Sequence, residues 1–154
     1  MIDKKSISEF RSEVIENFIN IEWVINSIIS THYLGKPILP FMLDVLNDEY
    51  FSFGLKRRIL VKILIDIKCE NEDVINRLNR MNSIRNYFAH CSTKIITKEG
   101  KEFTPDPKKR GKSIDFKLLY EEFMENEKKV IDFLIEILEK KMGIPFLKEY
   151  KFEK

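Results

Sequence analysis

Apolar residues recur along this chain at spacings of three and four, the interval that gathers them on one side of an α-helix. In the first stretch they are Ile7, Phe10, Val14, Phe18, Ile21, Val24, Ile25 and Ile28, with Arg11, Glu13, Glu16 and Asn17 on the wet side. Ser6 followed three residues later by Glu9 is a capping box, in which each side chain satisfies a backbone amide at the helix start. The pattern predicts one long amphipathic helix that stops near Thr31, before the breaker Gly35-Lys36-Pro37. A second, shorter helix is predicted from Leu39 to Glu49, carried by Leu39, Met42, Leu43 and Leu46.

Ser52 can cap a third helix whose apolar set is Leu55, Ile59, Leu60, Ile63, Leu64 and Ile67, with Lys56, Arg57, Arg58 and Lys62 on its other face. A fourth begins near Asn71. Glu72 and Asp73 occupy its first turn, where the helix dipole favours negative charge, and it runs through Val74, Ile75, Leu78, Met81, Ile84 and Phe88. The helical period then disappears between Ser92 and Ser113. Within that stretch Lys94 to Phe103 suggests a small hairpin turning at Glu99-Gly100, and Thr104-Pro105-Asp106-Pro107 reads as loop. The last helix is predicted from about Ile114 to Met142, with Leu118, Leu119, Phe123, Val130, Leu134, Ile137 and Leu138 inward, and it is closed by Gly143 and Pro145. Four or five helices of this kind pack most naturally as an up-and-down bundle. The expected fold is therefore all-α, one domain over residues 1–154, with an irregular or hairpin insertion at about 92–113.

The 154 residues suffice for a core without disulfides or metals. Lys and Arg number 27 against 25 Asp and Glu, so net charge alone does not mark a nucleic-acid binder and any such argument must be local. Between Lys94 and Lys112, seven basic residues face three acidic ones, which makes this the most positive stretch of the chain. The two cysteines, Cys69 and Cys91, have no metal-ligand spacing and fit reduced thiols. Charged residues interrupt every apolar run before it could span a bilayer, and the N-terminus lacks a signal-peptide core, so a cytoplasmic protein with no membrane association is expected.

Chemistry is concentrated in the run Met81-Asn82-Ser83-Ile84-Arg85-Asn86-Tyr87-Phe88-Ala89-His90. On a helix, Asn86 and His90 stack on one face with Arg85 at its edge, and Ala89 keeps bulk away from the imidazole. A neutral histidine can take a proton from a ribose 2′-hydroxyl or pass one to a leaving oxygen. A guanidinium holds phosphate through two parallel hydrogen bonds and stabilises charge building on it. The asparagine amide can orient either partner.

Arg85-Asn86-Tyr87-Phe88-Ala89-His90 resembles the signature of the HEPN superfamily, an arginine followed after four to six residues by a histidine on a late helix of a small helical bundle. The resemblance implies a metal-independent endoribonuclease, needing no cofactor, that uses the substrate's own 2′-hydroxyl and leaves a 2′,3′-cyclic phosphate. It also implies a homodimer, since in that family two copies of the motif face each other across a cleft. Carried onto this chain, Arg85 would bind the scissile phosphate, His90 would transfer the proton and Asn86 would position them. A toxin or antiviral-defence role, RNA as substrate and a cognate antitoxin as further partner follow from the same resemblance. One subset of the family carries a tyrosine two residues after the histidine as the target of an adenylating partner. Here that position is Ser92, which speaks against that mode of neutralisation.

Plainer readings stand beside these. His90 could bond its own last-turn carbonyls, and Arg85 could pair with Glu22 or another acid of the first helix. Lys108, Lys109 and Arg110 either guide an RNA backbone or form a solvated loop. Cys91 reads as a bystander, His32 as a surface or capping histidine, and Trp23 as a candidate for the dimer interface. The twelve phenylalanines fall at core spacing and read as core or interface. Rival functions are a non-catalytic HEPN-like regulator or dimerisation module, similar to the mannitol-repressor-like proteins, and a plain helical adaptor.

Overall fold

In the computed structural model, which describes residues 6–91, 95–96, 98–100 and 102–145, helix α1 spans Ile7–Leu34 and forms the spine of the core. Its capping box is present: the Glu9 amide donates to the Ser6 hydroxyl at 3.2 Å and the Ser6 amide to the Glu9 carboxylate at 2.5 Å. The helix runs three residues past the expected end at Thr31. It closes on Gly35, whose φ of 77° is the left-handed conformation that glycine adopts without a Cβ clash. Val14, Phe18, Ile21, Ile25 and Ile28 are all fully or almost fully buried.

Helices α2 (Phe53–Asp66), α3 (Glu72–His90) and α4 (Phe116–Glu136) begin on side-chain caps from Ser52, Asn71 and Asp115. A π-helical turn at Phe41–Leu46 stands where the short second helix is expected, and a second such turn, Ile137–Lys141, continues α4. Two short antiparallel strands, β1 (Ile95–Ile96) and β2 (Glu102–Phe103), make the expected hairpin. Ser92, Lys94 and Lys101 lie outside the described residues.

Pairs of touching residues reveal the chain directions. Phe18 meets Phe53, Glu22 meets Lys56 and His32 meets Asp66, so α1 and α2 run parallel. That is possible because the connecting segment doubles back along α1. Ser30 accepts from the Ile38 amide at 2.9 Å and donates to the Lys36 carbonyl at 3.0 Å, Ser27 lies 3.9 Å from the Met42 sulfur, and the Asn26 amide donates to Asn47 at 2.9 Å. The strap thereby meets the buried Ser30 hydroxyl and the Asn26 amide nitrogen, while Ser27 donates to the Trp23 carbonyl of its own helix at 3.0 Å and the Asn26 side-chain oxygen has no partner among the described residues. Helix α3 runs against α4, with Arg80 on Glu122, Arg77 on Asn126 and Phe88 on Phe116, while α4 runs with α1 through Phe10 on Tyr120 and Asn17 on Met124. Counting the short π-helical segment, successive elements alternate in direction.

Three expectations need correction. Leu118 is 61 % exposed, and Phe116, at 6 %, takes the core position at the start of α4, because Asp115 caps the helix and sets its phase. Leu39 and Leu43 are exposed, and Met42 and Leu46, with half-buried Phe41, pack the second helical segment onto the core; Leu39 precedes the π-helical turn and Leu43 winds outward within it. Lys56, expected on the outer face of α2, is 2 % exposed.

Candidate active site

Helix α3 presents the motif because its core stripe, Val74, Leu78, Met81, Ile84, Tyr87 and Phe88, anchors it against α1 and α4. The remaining arc carries Asn82, Arg85, Asn86, Ala89 and His90. Arg85 and Asn86 are half-buried, whereas Ala89 and His90 on the last turn are exposed.

Arg85 donates from Nη1 to the Asn86 Oδ1 at 3.0 Å, and its guanidinium lies 5.8 Å from the centre of the Phe18 ring on α1. This contact of cation and ring places the arginine against α1, and one hydrogen bond to Asn86 uses only part of the five guanidinium donors. Glu22, the acid that could have claimed Arg85, is paired instead with Lys56 at 2.7 Å. Among the described residues Arg85 makes no ion pair, and no hydrogen bond or ion pair engages the His90 side chain. The two are five positions apart, so on an ideal helix they stand about 140° apart and about 7.5 Å along the axis. The structure thus brings Arg85 and Asn86 into contact, sets His90 free at the helix end, and does not join Arg85 to His90 within one chain.

The basic loop docks beside this helix end. Tyr87 donates its hydroxyl to Asp106 at 3.1 Å, the same carboxylate oxygen accepts the Lys108 amide at 2.8 Å, and the Lys108 ammonium stands 5.0 Å above the Tyr87 ring. The turn closes on itself through the Asp106 amide to the Lys112 carbonyl at 2.8 Å, and Pro105 bridges to Ser113. Lys108, Lys109 and Arg110 are all exposed, and the Lys108 ammonium is folded onto the tyrosine and makes no ion pair among the described residues. Burial, reinforced by the bond to Asp106, pushes the Tyr87 phenol up. Partial burial works to raise the Asp106 carboxyl, but the amide of Lys108 and the phenol of Tyr87 outweigh it and hold it below its usual range. Burial, followed by the Asp106 charge, raises the Cys91 thiol, so it stays protonated and weakly nucleophilic at neutral pH. That agrees with the bystander reading.

Arg85 also borders a cleft of about 420 Å³ between α1, α2, α3 and the turn before α2. Its walls include Glu22, Phe51, Lys56 and Asn82, and its rim Asn47, Asp48 and Glu49. A hollow of similar volume, about 430 Å³, lies along α1 from Arg11 to Asn20 and shares no residue with the motif. The signal that could have placed Lys56 here was present: it precedes Leu60 by four residues and Leu64 by eight, squarely on the core stripe of α2. The bond from Tyr87 to Asp106 had no such signal, since it spans a loop. His32 stands 3.5 Å from Asp66, consistent with a histidine near the α1 end that fastens it to α2.

Among the described residues no group of three or more His, Cys, Asp or Glu is placed to hold a metal, and no helix is long and apolar enough to cross a membrane. The chain matches no protein-family model, no curated protein and no solved structure, so the chemistry of the site has to be argued from its residues.

Proposed function

We propose that this chain is a metal-independent endoribonuclease of the HEPN type, working as a homodimer in the cytoplasm in a toxin or antiviral-defence role. The observation that carries this reading is the Arg85 and Asn86 pair, held side by side on the same helix end as an unengaged, exposed His90. In the reaction the ribose 2′-oxygen attacks the adjacent phosphorus while the bond from phosphorus to the 5′-oxygen breaks, giving a 2′,3′-cyclic phosphate and a 5′-hydroxyl. Neutral His90 takes the 2′-hydroxyl proton, and the protonated histidine of the second copy gives one to the departing 5′-oxygen. Arg85 neutralises the charge that grows on the phosphoryl oxygens, and Asn86 fixes the guanidinium. Lys109 and Arg110 on the docked turn are the phosphate contacts that bring the RNA strand to the helix end, with Lys108 nearest the helix. A cognate antitoxin would restrain the enzyme.

The test is RNA cleavage in EDTA by the wild type and by His90→Ala and Arg85→Ala. Cutting that survives EDTA, leaves cyclic phosphate ends and disappears in both variants is the expected result; no cutting by any form refutes it.

The separation of Arg85 from His90 within one chain favours a second reading, a non-catalytic HEPN-like helical regulator or dimerisation module. The composite site needs two copies. A solution mass of one chain, with no cleavage, would select the second reading.

A further inference from the structure

The cleft beside Arg85 is not used by the phosphate chemistry, yet it opens directly from the guanidinium. About 420 Å³ lies within the roughly 300–1,000 Å³ typical of small-molecule sites. Its hydrogen-bonding character is uneven. Glu22 gives one oxygen to Lys56 and retains acceptor capacity, because a carboxylate has about four acceptor positions. Asp48 and Glu49 add two exposed carboxylates at the rim. Asn47 uses its side-chain oxygen on Asn26 and so has its amide hydrogens to offer, and the Asn82 amide has no hydrogen-bond partner among the described residues. Half-buried Phe51 supplies an apolar wall, placed by its own amide bonding to the Asp48 carbonyl at 2.9 Å.

We infer that this cleft is a nucleobase subsite, in which the base next to the phosphate gripped by Arg85 is read on its Watson–Crick edge, guanine being favoured most and uracil least. Guanine presents two adjacent donors, N1–H and the N2 amino group, to a carboxylate, and its O6 accepts from an asparagine amide. Adenine and cytosine present an amino group but lack the paired donors. Uracil offers a single donor, N3–H, flanked by two carbonyl oxygens that face the acidic rim, and binds least. Lys56 donates to Glu22 at 2.7 Å and holds that carboxylate at the cleft wall. The inference rests on the nuclease reading only for the assignment of Arg85 to the phosphate.

Binding and cleavage test the two separately. The full-length His90→Ala chain is titrated with GMP, AMP, CMP and UMP, and amide chemical shifts are followed. GMP should bind about tenfold or more tighter than UMP. Its shifts should centre on Asn47, Asn82 and Arg85. Asn82→Ala should erase most of that discrimination, Glu49→Gln should reduce it measurably by thinning the acidic rim that disfavours uracil, and Arg85→Ala should weaken all four nucleotides alike. Equal affinity for the four, absence of binding, or shifts confined to other surfaces would overturn the subsite. A single-site RNA series in EDTA supplies the other arm. Cutting with no preference for the neighbouring base sinks the subsite and leaves the nuclease, whereas discriminating nucleotide binding without any cutting supports the subsite and sinks the nuclease. Glu49 is exposed, so its substitution keeps the test open if Asn82→Ala fails to fold.

Discussion

Arg85 and His90 sit five residues apart on one helix and live in different surroundings. Arg85 is set into the fold, resting on the Phe18 ring, bonded to Asn86 and bordering a cleft whose wall contains the ion pair of buried Lys56 with half-buried Glu22. His90 projects from the last turn, and what lies near it is a loop fastened to α3 through Tyr87 and Asp106. One half of the motif is therefore positioned by the core, the other by a helix end and a loop. Substitutions on the first side should disturb folding and chemistry together, while those on the second should separate them.

The sharpest separation is expected at His90. His90→Ala should lower RNA cleavage by about 10²–10⁴-fold, the range for loss of a proton-transfer group, with no measurable change in the thermal midpoint because the side chain is exposed. A fall in stability of comparable weight would show that the two halves are not distinct.

On the Arg85 side the largest structural effect belongs to Glu22. Lys56 is 2 % exposed, and Glu22→Ala leaves its ammonium buried without a counter-charge, a change that costs roughly 3 kcal/mol by chemical denaturation. Replacing both residues, as in Glu22→Leu with Lys56→Met, should restore much of the loss, since apolar side chains of similar volume remove the desolvated charges together. If the double variant is no better than Glu22→Ala, the pair does more than neutralise itself.

Tyr87→Phe removes one hydroxyl and tests the loop side. Loss of the bond to Asp106 should cost about 1 kcal/mol and raise hydrogen exchange in the 104–113 loop. RNA affinity should weaken several-fold while the rate of the bound complex holds. Acid should act in the same direction. Asp106 has its carboxyl held below the usual value of 3.8, so its contribution is fully present above that value and is lost as pH falls through the lowered one. Docking of the loop should therefore loosen only in strong acid and stay unchanged across the neutral range, as the same exchange measurement would show.

The smallest effect is expected at the link between α3 and α4. Arg80 donates to both Glu122 oxygens, at 2.5 and 2.7 Å, and each partner is held in its charged form by the other, but both are well exposed. Glu122→Gln should cost less than about 1 kcal/mol, and less again in high salt. A larger loss would make this surface pair a true fastener of the motif helix.

Much of this arrangement is readable from residue order. The capping box, the cap at Ser52, the start of α3 near Asn71 and the period of three and four along α1 and α3 are local, because each depends on residues within about one helical turn. The same locality put Arg85, Asn86 and His90 on the last turns of one helix. Where a prediction depended on phase, as for Leu118 and Leu43, a cap or a π-helical turn shifted the face and the reading failed.

The amino-acid order by itself determined which segments are helical, where most of them begin and end, and that one helix end carries an arginine, an asparagine and a histidine. Tertiary structure alone decided who meets whom. It gave Glu22 to Lys56 and left Arg85 to Asn86, folded the strap from Gly35 back over the buried polar side chains of α1, and fastened Asp106 to Tyr87 across a gap of 19 residues. The physical reason is reach: caps and periodic faces arise from neighbours in the chain, whereas ion pairs, clefts and docked loops arise only when packing brings distant residues within a few ångströms.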